Sequence, residues 1–139
     1  MKRIISIILM IICSCTLVRA QKGLAVQEVF DEMAVNKNAT EVVMSSGKLK
    51  AYHLSFYHSI EVRTPSAAER QRMEHSVQAD AMSAIISEET PGHRFYEMPQ
   101  QRGMHRYILY RSTDSNLTLI YLEGKASLKQ IKGFFQKKQ

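Results

Sequence analysis

Two stretches late in the chain, Arg106 to Arg111 ("RYILYR") and Leu117 to Glu123 ("LTLIYLE"), constrain the fold most. Successive side chains of a strand point to opposite faces, and both stretches are apolar on both faces around Ile108, Leu109, Leu119 and Ile120. Such strands belong in the middle of a sheet that helices cover. Ser112 to Asn116 joins them, and its Asp114-Ser115-Asn116 is turn chemistry.

The rest of the chain supplies the covering elements. Leu24, Val26, Val29, Phe30 and Met33 recur mostly three and four residues apart, which predicts a first amphipathic helix over 24–35, ended by Asn36 to Asn38. Val42, Val43 and Met44 predict a short strand, closed by the turn signal Ser45-Ser46-Gly47. The clearest alternation is "AYHLSFYHSIEVR". Tyr52, Leu54, Phe56, Ile60 and Val62 share one face and His53, Ser55, Ser59, Glu61 and Arg63 the other, with only His58 breaking the apolar side. A long strand, bulged near His58, is expected. Pro65 suits a first helical position, and Ser66 with Glu69 has capping-box spacing, so a helix should start there and run to about Glu88, stopped by Pro91-Gly92. Met73, Val77, Ala81, Ala84 and Ile85 would form its buried face. Phe95 to Met98 reads as a further strand, and Ser127 caps a last helix bearing Leu128, Ile131, Phe134 and Phe135. There is no internal repeat and no linker. The expected fold is α+β, an antiparallel or mixed sheet of four to five strands with two to three helices packed on it.

The N-terminus predicts an address. Met1-Lys2-Arg3 followed by the apolar run Ile4 to Ile12 has the layout of a secretory signal peptide, and the run is far short of the roughly 20 apolar residues of a membrane span. Val18-Arg19-Ala20 before Gln21 fits signal-peptidase cleavage, dividing the chain into a leader over 1–20 and one domain over 21–139. Ile12-Cys13-Ser14-Cys15 competes with it, resembling a lipobox in which Cys15 would be acylated, although Cys13 departs from the usual pattern. These are the chain's two cysteines, so the mature domain holds neither disulfide nor thiol nucleophile. Of the formal net charge of +6, Lys2, Arg3 and Arg19 lie in the leader, leaving +3. That mild excess does not call for nucleic acid.

Candidate chemistry is sparse. Tyr57, on the polar side of its strand, is the best exposed aromatic contact, with His53 on the same strand. Asp80 falls between Met73, Val77 and Ala84, and a carboxylate on an apolar face must find a partner or raise its pKa. A neighbouring strand's Arg or Tyr would hold it structurally, and a cleft would make it a base. His58 is expected as a hydrogen-bonded histidine at the core's edge. No spacing among the five histidines matches a zinc pattern, no serine sits in a Gly-x-Ser-x-Gly turn, and no metal or cofactor is expected. Glu123-Gly124 follows a central strand and precedes a helix, a place where ligands sit in α/β sheets, though a lone glycine is first a turn residue.

Tyr52 to Ser59 ("YHLSFYHS"), Tyr107 to Tyr110 ("YILY") and Leu119 to Gly124 ("LIYLEG") before a helix resemble small exported Bacteroidetes proteins of unknown-function families, over about Val29 to Phe135. These are framework strands, so the resemblance implies a periplasmic or cell-envelope setting and carries over no catalytic residue. The expected function is a non-enzymatic binding module for another envelope protein or a membrane surface, acting through a sheet face or edge bearing Tyr57 and His53. The alternative is a small hydrolase or ligand-binding protein with a cleft near Asp80 and His58. A third route is membrane attachment through the basic, aromatic C-terminal helix with Lys129, Lys132, Lys137 and Lys138 beside Phe134 and Phe135.

Overall fold

The structure, a computed structural model, describes residues 24–45 and 47–136, the last two by backbone only. The expectations for Cys13, Cys15, Ala20, Gln21, Ser46, Lys137 and Lys138 lie outside the described residues. The chain runs α1 (Ala25–Met33), β1 (Ala39–Ser45), a 3-10 turn (Gly47–Tyr52), β2 (Leu54–Arg63), α2 (Ala67–Ala81), β3 (Ile86–Thr90), β4 (His93–Gln101), β5 (Met104–Ser112), β6 (Asn116–Gly124) and α3 (Leu128–Gln136). The fold is α+β, as the periodicities imply. Its sheet has six strands in the order β1-β2-β6-β5-β4-β3, every neighbouring pair antiparallel. The chain leaves β2, crosses through α2 to the far edge, and returns by three hairpins until β6 pairs with β2. The doubly apolar strands β5 and β6 are thereby central.

The additional strand is β3, which corrects the expected count of four to five. Its residues were expected to be the end of the second helix. That helix stops at Ala81, where Ser83 N–H and Ala84 N–H turn back onto Asp80 and Ala81 carbonyls, and Ile85 N–H then begins pairing on the Glu97 carbonyl at 2.8 Å. Glu88 and Glu89 carry no strand signature because β3 is an exposed edge with no buried face to set an apolar alternation. Pro91-Gly92, read as a helix stop, is the two-residue β3–β4 turn, with Gly92 at φ 80°. Pro65 lies ahead of the N-cap, while the capping box forms: Ser66 Oγ accepts from Glu69 N–H, and Glu69 Oε1 accepts from Ser66 N–H.

The second long strand also begins later than its alternation suggests. Tyr52 belongs to the 3-10 turn, His53 sits at φ 59°, and the β-bulge falls between Leu54 and Phe56, not near His58. The bulge puts Leu54 and Phe56 on opposite faces.

Each face has its own core. On the first, α1 and α2 bury Val26, Val29, Phe30, Met33, Met73 and Val77 against Ile60, Val62, Tyr96, Ile108, Leu119 and Tyr121. Arg72 binds Glu28 and Glu32 between the two helices, and Arg94 binds Glu74 at 2.7 Å between β4 and α2. On the second, α3 and the 3-10 turn bury Leu49, Leu54, Tyr107, Leu122, Ala126 and Ile131. Ile85, expected on the buried face of the second helix, lies beyond its end and is 58 % exposed.

Candidate functional site

Cover on the second face is incomplete. A nine-residue helix is roughly 13 Å long, whereas six strands span roughly 24 Å from edge to edge. The register sorts this face into three rows running across the strands. Tyr57, Leu122 and Tyr107 lie in the first, closest to α3, where Leu122 and Tyr107 are fully buried and the Tyr107 hydroxyl donates to the Ala126 carbonyl at 2.7 Å. Ser59, Ile120, Leu109 and Phe95 form the second, and each is half-buried. Glu61, Thr118, Arg111 and His93 form the third, with Glu61, Arg111 and His93 exposed. Burial thus falls from α3 outward.

Between these rows and α3 lies a trough of about 690 Å³ with an apolar floor of Tyr57, Phe95, Leu109 and Ile120. An ion pair from Lys132 on α3 to Glu88 on β3 walls one side. Its volume is within the range of small-molecule sites, roughly 300–1,000 Å³.

Tyr57 is the one of the four sequence candidates that reaches the trough. His53 is exposed just before β2 and works through its backbone: its carbonyl accepts the N–H groups of both Lys125 and Ala126 at 2.9 Å. His58 is buried on the helix-covered face, its ring stacked on Phe30 at 3.9 Å, and its Nε2 donates to Glu41 Oε2 at 2.8 Å. Asp80 is buried as well. Its partner is the start of α1 rather than a strand's Arg or Tyr: Oδ1 accepts from Ala25 N–H at 2.7 Å and Oδ2 from Val26 N–H at 2.9 Å. Burial pushes the Asp80 carboxyl above its ordinary pKa, against the pull of those two hydrogen bonds and of the Arg106 charge. Asp80 and His58 do not line the trough.

Gly124 is a point of contact rather than a turn. A Cβ there would lie 2.6 Å from the His53 carbonyl oxygen and from Leu54 Cα, so β6 can close on β2 only with glycine at this position. Glu123, beside it, faces α1 and α2, with Arg106 opposite in the ladder. Burial raises its pKa and the Arg106 charge opposes the rise.

The trough's outer residues, Phe95, Leu109, Ile120, Arg111 and His93, were not singled out as a site. The signal for them was present: one short final helix cannot cover a sheet whose central strands are apolar on both faces. The final helix itself turns Leu128, Ile131 and Phe134 inward. Ile131 is buried, Phe134 packs on the second core and meets Tyr52 edge-on at 5.2 Å, and Lys132 is paired.

No described helix is long and apolar enough to cross a membrane. Among the described residues no group of three or more His, Cys, Asp or Glu could hold a metal ion. No curated protein and no solved structure matches the chain. The model of a family of unknown function, DUF6108, matches residues 13–135, and the chain belongs to that family.

Proposed function

We propose that this is an exported cell-envelope protein that binds an apolar envelope component, without catalysis, through the open half of its sheet. The observation that carries the reading is the half-buried row Phe95, Leu109 and Ile120, left beside the edge of α3 between a closed core and an exposed polar row. A contiguous apolar floor with a polar rim is the build of an interaction site. The groups that a hydrolase would need are committed elsewhere, Asp80 to the backbone of α1 and His58 to Glu41 and Phe30. Export, and an origin in Bacteroidetes, rest on the Met1 to Ala20 pattern and the framework resemblance.

Two measurements test it. A photoreactive residue at Thr118, on the rim, should give an adduct in intact host cells, whereas the same residue at exposed Gln78 on α2 should not. Equal labelling at both positions, or none at Thr118, would sink the reading. The intact mass of the protein from soluble and membrane fractions tests the address. A chain starting at Gln21 means a free exported domain, one starting at acylated Cys15 means a tethered one, and an unprocessed chain overturns export.

A further inference from the structure

The rim of the trough is not electrically neutral. Arg111 and His93 are direct cross-strand partners on the outer row, both exposed and both lining the trough. Neither side chain has a hydrogen bond or ion pair among the described residues. Lys132, by contrast, is already engaged by Glu88. The free cation therefore sits one row outward from Leu109 and Phe95, beside the apolar floor and open to solvent. Glu61 occupies the same row beyond Thr118, two strands from Arg111 and roughly 10 Å away by strand spacing.

From this arrangement we infer that the trough holds a single-chain amphiphile ending in a carboxylate. Its alkyl chain lies across the strands on Ile120, Leu109 and Phe95, and its carboxylate meets Arg111 and His93. The inference rests on the proposed use of the open face and adds the ligand class.

Three features select this occupant. Phe95, Leu109 and Ile120 sit on β4, β5 and β6, interior strands whose backbone groups are directed to their neighbours. A peptide lying across them would find no partners for its amides, whereas an alkyl chain has none to satisfy. One guanidinium matches one carboxylate in a forked pair. A doubly charged phosphate would leave its second charge unmatched by that single cation, cost more to take out of water, and meet more repulsion from Glu61.

Calorimetric titration of the purified, host-processed protein with dodecanoate and dodecyl phosphate below their micelle concentrations, and with dodecanol below its solubility limit, tests the assignment. Dodecanoate should bind one to one and more tightly than either analogue. Arg111→Gln should weaken dodecanoate by at least about tenfold and leave dodecanol unchanged. Thr118→Glu, which places an acid directly opposite Arg111 in the ladder, should weaken dodecanoate further without touching the floor. Leu109→Asn should weaken both dodecanoate and dodecanol. Both rim changes lie outside the buried core, so the unfolding midpoint should hold and serve as the folding control. Absence of dodecanoate binding, an Arg111→Gln protein that binds it unchanged, or a preference for dodecyl phosphate would overturn the inference. A concentration-dependent dimer that masks the trough would overturn it too. A Thr118 adduct with a protein, together with no dodecanoate binding, would remove this inference while leaving the open face as the binding surface. No adduct at all would remove both.

Discussion

Asp80 shows how a carboxylate on an apolar helix face becomes part of the frame. Its two oxygens take the first two N–H groups of α1, donors that no residue within that helix can satisfy, and its charge sits at the positive end of the helix. Asp80→Ala should therefore cost about 2 kcal/mol and lower the thermal midpoint by roughly 8 °C or more, with denaturation followed by circular dichroism as the check. The pH dependence has a definite sign. Burial raises the folded carboxyl above its ordinary 3.8, so between that value and the raised one the native state holds more proton than the unfolded chain. Stability from this residue consequently falls as pH rises through that window. The margin of the native protein over Asp80→Asn should be widest below pH 3.8 and narrow as pH rises above it; a margin that widens would contradict the burial argument. The need for a partner was legible in the apolar surroundings of Asp80, but the partner was not, because Ala25 and Val26 lie more than 50 residues away and contribute backbone rather than side chain. His53 was illegible for a related reason. Strand alternation accommodates it, whereas its φ of 59° and its doubly accepting carbonyl arise only when β6 arrives beside it. His53→Gly should leave stability unchanged or slightly higher, and His53→Val should cost about 1–2 kcal/mol in chemical denaturation.

At the scale of elements, what the sequence shows best is whatever a buried face dictates. β5 and β6, apolar on both sides, could sit only at the centre of a covered sheet, and Ser66 with Glu69 marked the start of α2 through a local pair of hydrogen bonds. β3 escaped because an edge strand needs no buried face: its register is held by the backbone ladder with β4, and Glu88 and Glu89 read equally well as helix. The junction of β2 with β6 is where the register is pinned. The bulge at Leu54/Phe56, the His53 carbonyl and Gly124 occupy one crowded spot, and both atoms nearest the missing Cβ are backbone atoms that cannot swing aside. Gly124→Ala should thus destabilise by about 2–3 kcal/mol, as over-packing of a rigid site does. Equilibrium urea unfolding should show a lower midpoint with an unchanged slope. A midpoint within error of the native one would mean that the β2–β6 junction can open, and with it the part of the trough floor formed by Tyr57.

Across the whole molecule, the tyrosines join the two cores to the sheet and set an alkaline limit on the fold. Tyr107 donates to the loop before α3, Tyr110 donates to Glu74 on α2 at 3.0 Å, and Tyr96 donates to Glu89 on β3 at 2.6 Å. These three and Tyr121 are at most 2 % exposed. Burial pushes Tyr107 and Tyr110 up to about 12, helped by the negative charge of Glu97 near the first and of Glu74 at the second. Burial pushes up Tyr96 and Tyr121 as well, with Glu89 and Glu123 as their acidic neighbours. The unfolded chain releases these protons near pH 10.0 and the native state retains them, so the native state binds more protons above that pH. Each phenol then withdraws up to about 1.4 kcal/mol of stability per pH unit until its folded pKa is reached. Four acting together withdraw up to about 11 kcal/mol over about two pH units, which falls within the roughly 5–15 kcal/mol that bounds a domain of this kind. The stability supplied by these groups is therefore whole below pH 10 and lost as pH climbs toward 12. Tyrosinate absorbance from the buried phenols and loss of the circular dichroism signal should rise in one cooperative transition within that interval. Tyr107→Phe, which removes one ionisable group and its bond to Ala126, should lower stability at neutral pH while flattening the alkaline slope. Phenols that ionise before the dichroism changes would show instead that water reaches them in the native state, and that the cover provided by α3 and α2 is looser than their burial implies.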